Sequence, residues 1–160
     1  MSKEFITDFI AEKFKDKVDK ARAPYICHLI TVANIASDKC WDIEDDVFVN
    51  EVFATALLHD IFEDTNATED EIRNLIGVDN NVIQAVKILT RSKDDTYMEY
   101  IKKVSTNKIA TLVKLADLEH NMDITRYDTF NDIQFDLLKR YHKAYKHLIN
   151  LTKGSNYERV

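Results

Sequence analysis

The segment Ala56-Leu-Leu-His-Asp-Ile-Phe-Glu-Asp-Thr65 places four titratable groups within two helical turns. Residues three and four apart lie over one another on a helix, so His59, Asp60, Glu63 and Asp64 share one side, and Leu57, Leu58, Ile61 and Phe62 the other. Three carboxylates that close to a core repel one another unless a cation holds them. An imidazole beside a carboxylate is a ligand pair for Mn, Fe, Zn or Mg-like ions. The plainer reading is a solvated acidic helix end ahead of a loop.

A second segment, Thr111-Leu-Val-Lys-Leu-Ala-Asp-Leu-Glu-His-Asn-Met122, carries Asp117 after an apolar run and one turn from Val113. Its carboxylate is expected to point inward, where an unpaired charge is costly and a metal removes the penalty. A helix ion pair with Lys114 would explain it as well. Asn121, one turn further on, could hold a substrate oxygen or orient Asp117, or simply end the helix. His28 stands among Ile26, Leu29, Ile30, Ala33 and Ile35, as a third-segment ligand or a hydrogen-bonded core residue. His120 faces differently from Asp117, and His142 and His147 fall in a polar pattern, so these three read as structural or exposed.

The elements that must position these groups read as helices throughout. Apolar residues recur at a period near 3.6, turn-formers are scarce, and no strand is predicted. Helices are expected over Lys3 to Val18, with Phe5, Phe9, Ile10 and Phe14 inward, then from Pro24 to Cys40, and from Asp45 to Asp64. A capping box at Thr68 to Glu71 starts a short helix that Gly77 would end. Further helices are expected over Asn80 to Leu89, Thr96 to Val104, Lys108 to Met122 and Asp132 to Thr152.

With 160 residues, 45% of them hydrophobic, the chain suits one all-α domain over residues 1–160. The net charge is −6 and no basic stripe occurs, which argues against a nucleic acid polymer as partner. No apolar run is long enough to span a membrane and the N-terminus lacks a signal-peptide centre, so a soluble, cytoplasmic protein is expected. Cys27 and Cys40 read as reduced core thiols. Gly77, Gly154 and Pro24 are too few for a glycine-rich phosphate loop, so a phosphate would have to be handled by side chains or metal.

Three stretches in this order resemble the HD superfamily of metal-dependent phosphohydrolases, in particular the hydrolase domain of the RelA/SpoT alarmone enzymes and their small stand-alone relatives. They are Pro24-Tyr-Ile-Cys-His28-Leu-Ile-Thr-Val-Ala33, Leu57-Leu-His-Asp-Ile-Phe-Glu-Asp-Thr65 and Val113-Lys-Leu-Ala-Asp-Leu-Glu-His-Asn-Met122. The resemblance spans roughly residues 14–125. It implies a helical bundle with a central site where His28, His59, Asp60 and Asp117 hold one divalent ion, usually Mn²⁺. It gives Glu63 and Asp64 the catalytic, water-activating and proton-transfer roles, and Asn121 a substrate contact.

The implied reaction is removal of the 3′-pyrophosphate of guanosine 3′,5′-bispyrophosphate. The alternatives are hydrolysis of another small nucleotide, NADPH or a phosphate ester, and a non-catalytic nucleotide sensor. Leu118 and Asp123 stand where the family usually or often carries basic residues. The segment before Pro24 lacks the family's Gly-x-Pro-Tyr form, leaving Lys17, Lys20 and Arg22 as substitutes for its nucleotide-contacting base. Lys93, Lys114 and Arg126 are further candidates for an anionic substrate, each otherwise a solvated surface charge.

Overall fold

A computed structural model describes residues 3–75 and 78–154 of the chain. The described residues form helices α1 (Lys3–Lys13), α2 (Tyr25–Asp38), α3 (Asp46–Leu58), α4 (Ile61–Asp64), α5 (Glu69–Arg73), α6 (Asn80–Leu89), α7 (Tyr97–Val104), α8 (Lys108–Met122) and α9 (Asp132–Gly154). A single 3-10 turn, Ile124–Arg126, joins α8 to α9. Among these residues the only β pairing is an isolated bridge between Val18 and Pro24. The all-α fold therefore agrees with the periodicity of the sequence.

Side-chain caps fix most helix starts. Asp45, Asp79 and Asn107 accept backbone N–H groups at the heads of α3, α6 and α8. Thr68 and Thr96 close reciprocal capping boxes with Glu71 and Glu99, each supplying partners to donors that the first turn leaves free. The expected stop at Gly77 lies outside the described residues, and α5 already ends at Arg73.

The core is built where α2 packs on α3 and α8, and α8 on α9. Leu29, Val32 and Ala33 of α2, Leu57 and Leu58 of α3 and Val113, Leu115 and Leu118 of α8 are essentially inaccessible. Each large side chain so buried contributes about 1.5–3 kcal/mol, which is what holds three distant stretches of chain in register. The same packing sets His28, His59 and Asp117 in the interior.

Several expectations are corrected. The helix expected to run from Asp45 to Asp64 is broken: α3 stops at Leu58, His59 and Asp60 form a turn, and α4 is a new single turn. Asp60 sits at φ −102° and ψ 6°, in the bridge region rather than the helical one. The first helix ends at Lys13 instead of Val18, and Phe5 is half-exposed while Ile6, Ile10 and Phe14 are buried. Cys27 is exposed, on the outer side of α2; Cys40 alone of the two thiols is in the core.

Candidate metal centre and active-site cleft

Four polar side chains from three segments converge between α2, the α3–α4 turn and α8. His28 Nε2 lies 3.3 Å from Asp117 Oδ1 and 3.8 Å from Asp60 Oδ2. His59 Nε2 lies 3.0 Å from Asp60 Oδ2 and 3.7 Å from Asp117 Oδ1. Ligands about 2.1 Å from one ion are about 3.0 Å apart at right angles and about 3.4 Å apart at tetrahedral angles, so this spacing fits a single cation. His28, His59 and Asp60 also bring their ligand atoms within 4.8 Å of one another as a set.

The hydrogen bonds around the cluster leave the inward atoms available. His59 Nδ1 donates to the Ala56 carbonyl at 2.7 Å, while its Nε2 is buried and makes no hydrogen bond, despite its closeness to Asp60. A buried imidazole nitrogen without a partner is what a metal ligand looks like before its ion is counted. Burial opposes charge on His59, but Asp60 and Asp117 outweigh it and lift its pKa to about 10 in the absence of a cation. A proton or a metal is required between those carboxylates.

Each candidate ligand is oriented by a neighbour. The Tyr25 hydroxyl donates to Asp60 Oδ2 at 2.5 Å, and burial followed by the charge of Asp60 raises that phenol's pKa. Lys114 Nζ donates to Asp117 Oδ2 at 2.8 Å, and the Asn121 amide donates to both the side chain and the backbone carbonyl of Asp117. Burial works against the Lys114 ammonium, yet Asp117, Tyr100 and Tyr97 hold its pKa above the usual lysine value. The ion pair with Lys114 occupies Oδ2 and leaves Oδ1, which faces both histidines and the Asn121 amide, compatible with a ligand role for Asp117. Lys114 is a half-buried partner of Asp117, not a solvated surface charge.

His120 is a residue that the sequence did not single out. Its Nδ1 lies 2.7 Å from Nδ1 of His28 and the two rings stack with centroids 4.9 Å apart. One of the two nitrogens must donate and the other accept. If His28 offers Nε2 to a metal, its proton sits on Nδ1 and His120 accepts. Burial, then the charges on His28 and Arg126, depress the His120 pKa to about 4, which keeps it neutral and able to accept. The signal was in the sequence only as adjacency to Asn121; the contact itself depends on how α2 meets α8.

The cluster opens into a cleft of about 410 Å³ lined by Glu63, Asp64, Lys20, Arg91, Tyr97, Asn121 and Arg140 among others. Glu63 accepts the backbone N–H of Arg91, and burial raises its pKa. Asp64 lies 3.8 Å from Lys17. Lys20 donates to the Tyr141 hydroxyl at 2.8 Å and to Asn121 Oδ1 at 3.4 Å. Arg22 is exposed at φ 64° in the turn before α2 and does not line the cleft. Lys93 is likewise exposed and away from it, and Arg126 is taken by Asp19. His142 is exposed, and His147 lies on α9, remote from the cleft lining.

The HD domain family model matches residues 25–142, and the chain belongs to that family. The guanosine-3′,5′-bis(diphosphate) 3′-pyrophosphohydrolase MESH1 of Xenopus tropicalis is 37% identical over 122 residues, 72% of this chain and 64% of the frog protein. The protein of the same name in Danio rerio is 35% identical over 127 residues, 74% of this chain and 67% of the fish protein. The bifunctional (p)ppGpp synthase/hydrolase SpoT of Escherichia coli K12 is 32% identical over 108 residues, 62% of this chain but only 14% of that longer protein. A solved structure described as a metazoan ortholog of SpoT that hydrolyzes ppGpp superposes with a TM-score of 0.67 at 24% identity, covering 98% of this chain and 97% of that one. That likeness establishes the fold.

Proposed function

We propose that the chain is a metal-dependent phosphohydrolase that removes the 3′-pyrophosphate of guanosine 3′,5′-bispyrophosphate, using one divalent ion, Mn²⁺, held by His28, His59, Asp60 and Asp117. The observation that carries the reading is the convergence of the buried His59 Nε2 on Asp60 and Asp117, at 3.0 and 3.7 Å, beside a cleft that those two carboxylates line together with His28, Glu63 and Asp64. The MESH1 proteins, similar over most of the chain, support the choice of substrate. A mixed set of two imidazoles and two carboxylates accepts Mn²⁺ as well as Fe or Zn, and the choice of Mn²⁺ follows the resemblance to the RelA/SpoT hydrolase domain. One continuous buried cluster drawn from α1 through α9 supports treating residues 1–160 as one working domain. A cytoplasmic setting belongs to the same proposal, with Cys27 and Cys40 as free thiols.

The ion, when bound, supplies Lewis-acid charge that lowers the pKa of a water and offsets negative charge on the phosphoryl group. Glu63 is the residue suited to take the proton of that water, because burial makes it a stronger base than an ordinary carboxylate. Asp64, beside it at the cleft, is placed to relay the proton that Glu63 takes to the departing 3′ oxygen. Asn121 keeps Asp117 in place, and Lys20, tethered to Asn121 and Tyr141, presents its ammonium to the anionic substrate.

A second reading, hydrolysis of a different small nucleotide, is favoured by what stands at two family positions. Leu118 is fully buried in the core, and Asp123 is an exposed carboxylate engaged by Thr125 in the 3-10 turn. Neither adds a cation to the cleft. A panel of phosphorylated nucleotides assayed with Mn²⁺, scored for pyrophosphate against phosphate release, separates the two. Pyrophosphate from guanosine 3′,5′-bispyrophosphate is the expected product; phosphate from another nucleotide selects the second reading. Tight nucleotide binding without turnover under any divalent ion would make the chain a sensor.

A further inference from the structure

Two hydrogen-bond donors of the cleft lack the acceptors that their burial calls for. Lys114 of α8 and Tyr97, the first residue of α7, both line it. Only 12% of the Lys114 side chain is exposed. Its ammonium carries three N–H groups, and among the described residues its hydrogen bond goes to Asp117 Oδ2 at 2.8 Å. The ammonium lies 5.2 Å from the Tyr100 ring centroid, and the Tyr100 hydroxyl is committed to the Leu89 carbonyl at 2.7 Å. That ring attracts the cation and offers it no oxygen. The Tyr97 hydroxyl is buried and makes no hydrogen bond among the described residues.

Packing explains neither group. Burying a hydroxyl or an ammonium N–H without an acceptor costs free energy, and phenylalanine at 97 or an apolar residue at 114 would avoid that cost. Steadying Asp117 does not account for the lysine either, because the Asn121 amide already donates to the same carboxylate and to the Asp117 carbonyl. The two donors are neighbours: burial pushes the Tyr97 phenol up, and the Lys114 ammonium pulls it down more than any other charge does. A phenol and an ammonium side by side, with hydrogens to give, match an anionic oxygen. Lys114 sits on Oδ2 of the carboxylate whose Oδ1 faces His28 and His59, so the pair adjoins the ligand cluster. Its charge also reaches Glu63, whose carboxyl burial raises and Lys114 helps to lower. The oxygen that fits between them therefore belongs to the phosphorus under attack.

We propose that Lys114 and the Tyr97 hydroxyl are catalytic donors to a non-bridging oxygen of the reacting phosphoryl group, an oxyanion site built from the chain beside the metal centre. The inference rests on the proposed nucleotide hydrolysis and adds two residues to it. In that reaction the water oxygen bonds to phosphorus as its proton goes to Glu63. The bond from phosphorus to the 3′ oxygen breaks, its electron pair stays on that oxygen, and the relayed proton neutralises it. Lys114 and Tyr97 keep their protons throughout and hold the oxygen on which negative charge develops.

The test compares Tyr97→Phe and Lys114→Gln with the wild type at saturating Mn²⁺, in hydrolysis of guanosine 3′,5′-bispyrophosphate and in binding of inorganic phosphate. Tyr97→Phe should lower kcat about tenfold with KM within about twofold. Its melting temperature should be equal or higher, because the fold gives that hydroxyl no partner. Lys114→Gln should lower kcat by about 10²- to 10³-fold, the loss expected for one donor of an oxyanion site, and excess Mn²⁺ should not restore it. Both variants should bind phosphate about tenfold more weakly. Unchanged kcat in Tyr97→Phe, or phosphate binding equal to wild type in both variants, overturns the proposal. So does a Lys114→Gln loss that excess Mn²⁺ reverses, since Lys114 would then only steady Asp117. Should Lys114→Gln fail to fold, Tyr97→Phe alone decides. A wild type that hydrolyses no nucleotide, with phosphate binding weakened in the variants as expected, would instead remove the proposed reaction and leave the oxyanion site standing.

Discussion

Glu63 and the proposed ligand Asp60 stand three residues apart, yet the proposed mechanism gives them different tasks. Glu63 touches no ligand atom, so Glu63→Gln should retain the ion and lower kcat by about 10²- to 10⁴-fold, the range of a lost proton-transfer group. Paired metal analysis and steady-state kinetics check this; unchanged kcat would remove Glu63 from the mechanism. His120 acts through His28. A His120→Phe substitution keeps the stacked ring and removes the acceptor, and should weaken metal affinity by about tenfold or more in a chelator competition. Equal affinity would make the contact one of packing only. The four candidate ligands stood out in the sequence because types and spacing in each segment were unusual for a plain amphipathic helix. His120 did not, since its relation to His28 arises from the crossing of two helices and has no local pattern.

At the scale of elements, the turn before α2 presents Lys20 to the cleft, and it is held from outside. Asp19 accepts backbone N–H groups of Ala21 and Ala23 at 2.8 and 3.0 Å and is bound across the structure by Arg126 from the 3-10 turn. Arg126→Ala should raise KM several-fold at nearly constant kcat and cost about 2 kcal/mol of stability, read from kinetics and denaturant unfolding. Arg22, in the same turn at φ 64°, pays for a left-handed conformation without facing the cleft. Arg22→Gly should leave KM unchanged and stability within about 1 kcal/mol, because glycine adopts that conformation freely; a raised KM would restore Arg22 to the substrate site. Helix positions followed from apolar periodicity and caps. The break at His59 and Asp60 did not, because the apolar pattern of Leu57, Leu58 and Ile61 continues through it. Arg140 was equally silent: a lone arginine on a long polar helix acquires meaning only when α9 returns against α7 and α8.

For the molecule as a whole, the proposed ligand cluster would link folding, protons and metal. With no cation, His59 carries the proton that offsets Asp60 and Asp117, its pKa lifted from the ordinary 6.5 to about 10. That contribution to stability is fully present below about pH 6.5 and is lost as pH rises through about 10. The metal-free protein should therefore lose melting temperature between pH 7 and 10, while the Mn²⁺-loaded protein keeps it. Metal binding at pH 8 should expel a proton, visible as a dependence of the calorimetric heat on the buffer's ionisation enthalpy. A heat independent of buffer would mean that His59 is already neutral.

Four side chains from three stretches of chain are proposed to hold one ion. Metal analysis after equilibrium dialysis against Mn²⁺, run on the wild type and on Asp60→Ala with folding checked by circular dichroism, tests it most directly. The expected result is about one ion per wild-type chain and none in folded Asp60→Ala; a folded variant that still binds a full equivalent, or a wild type that binds none, would contradict it.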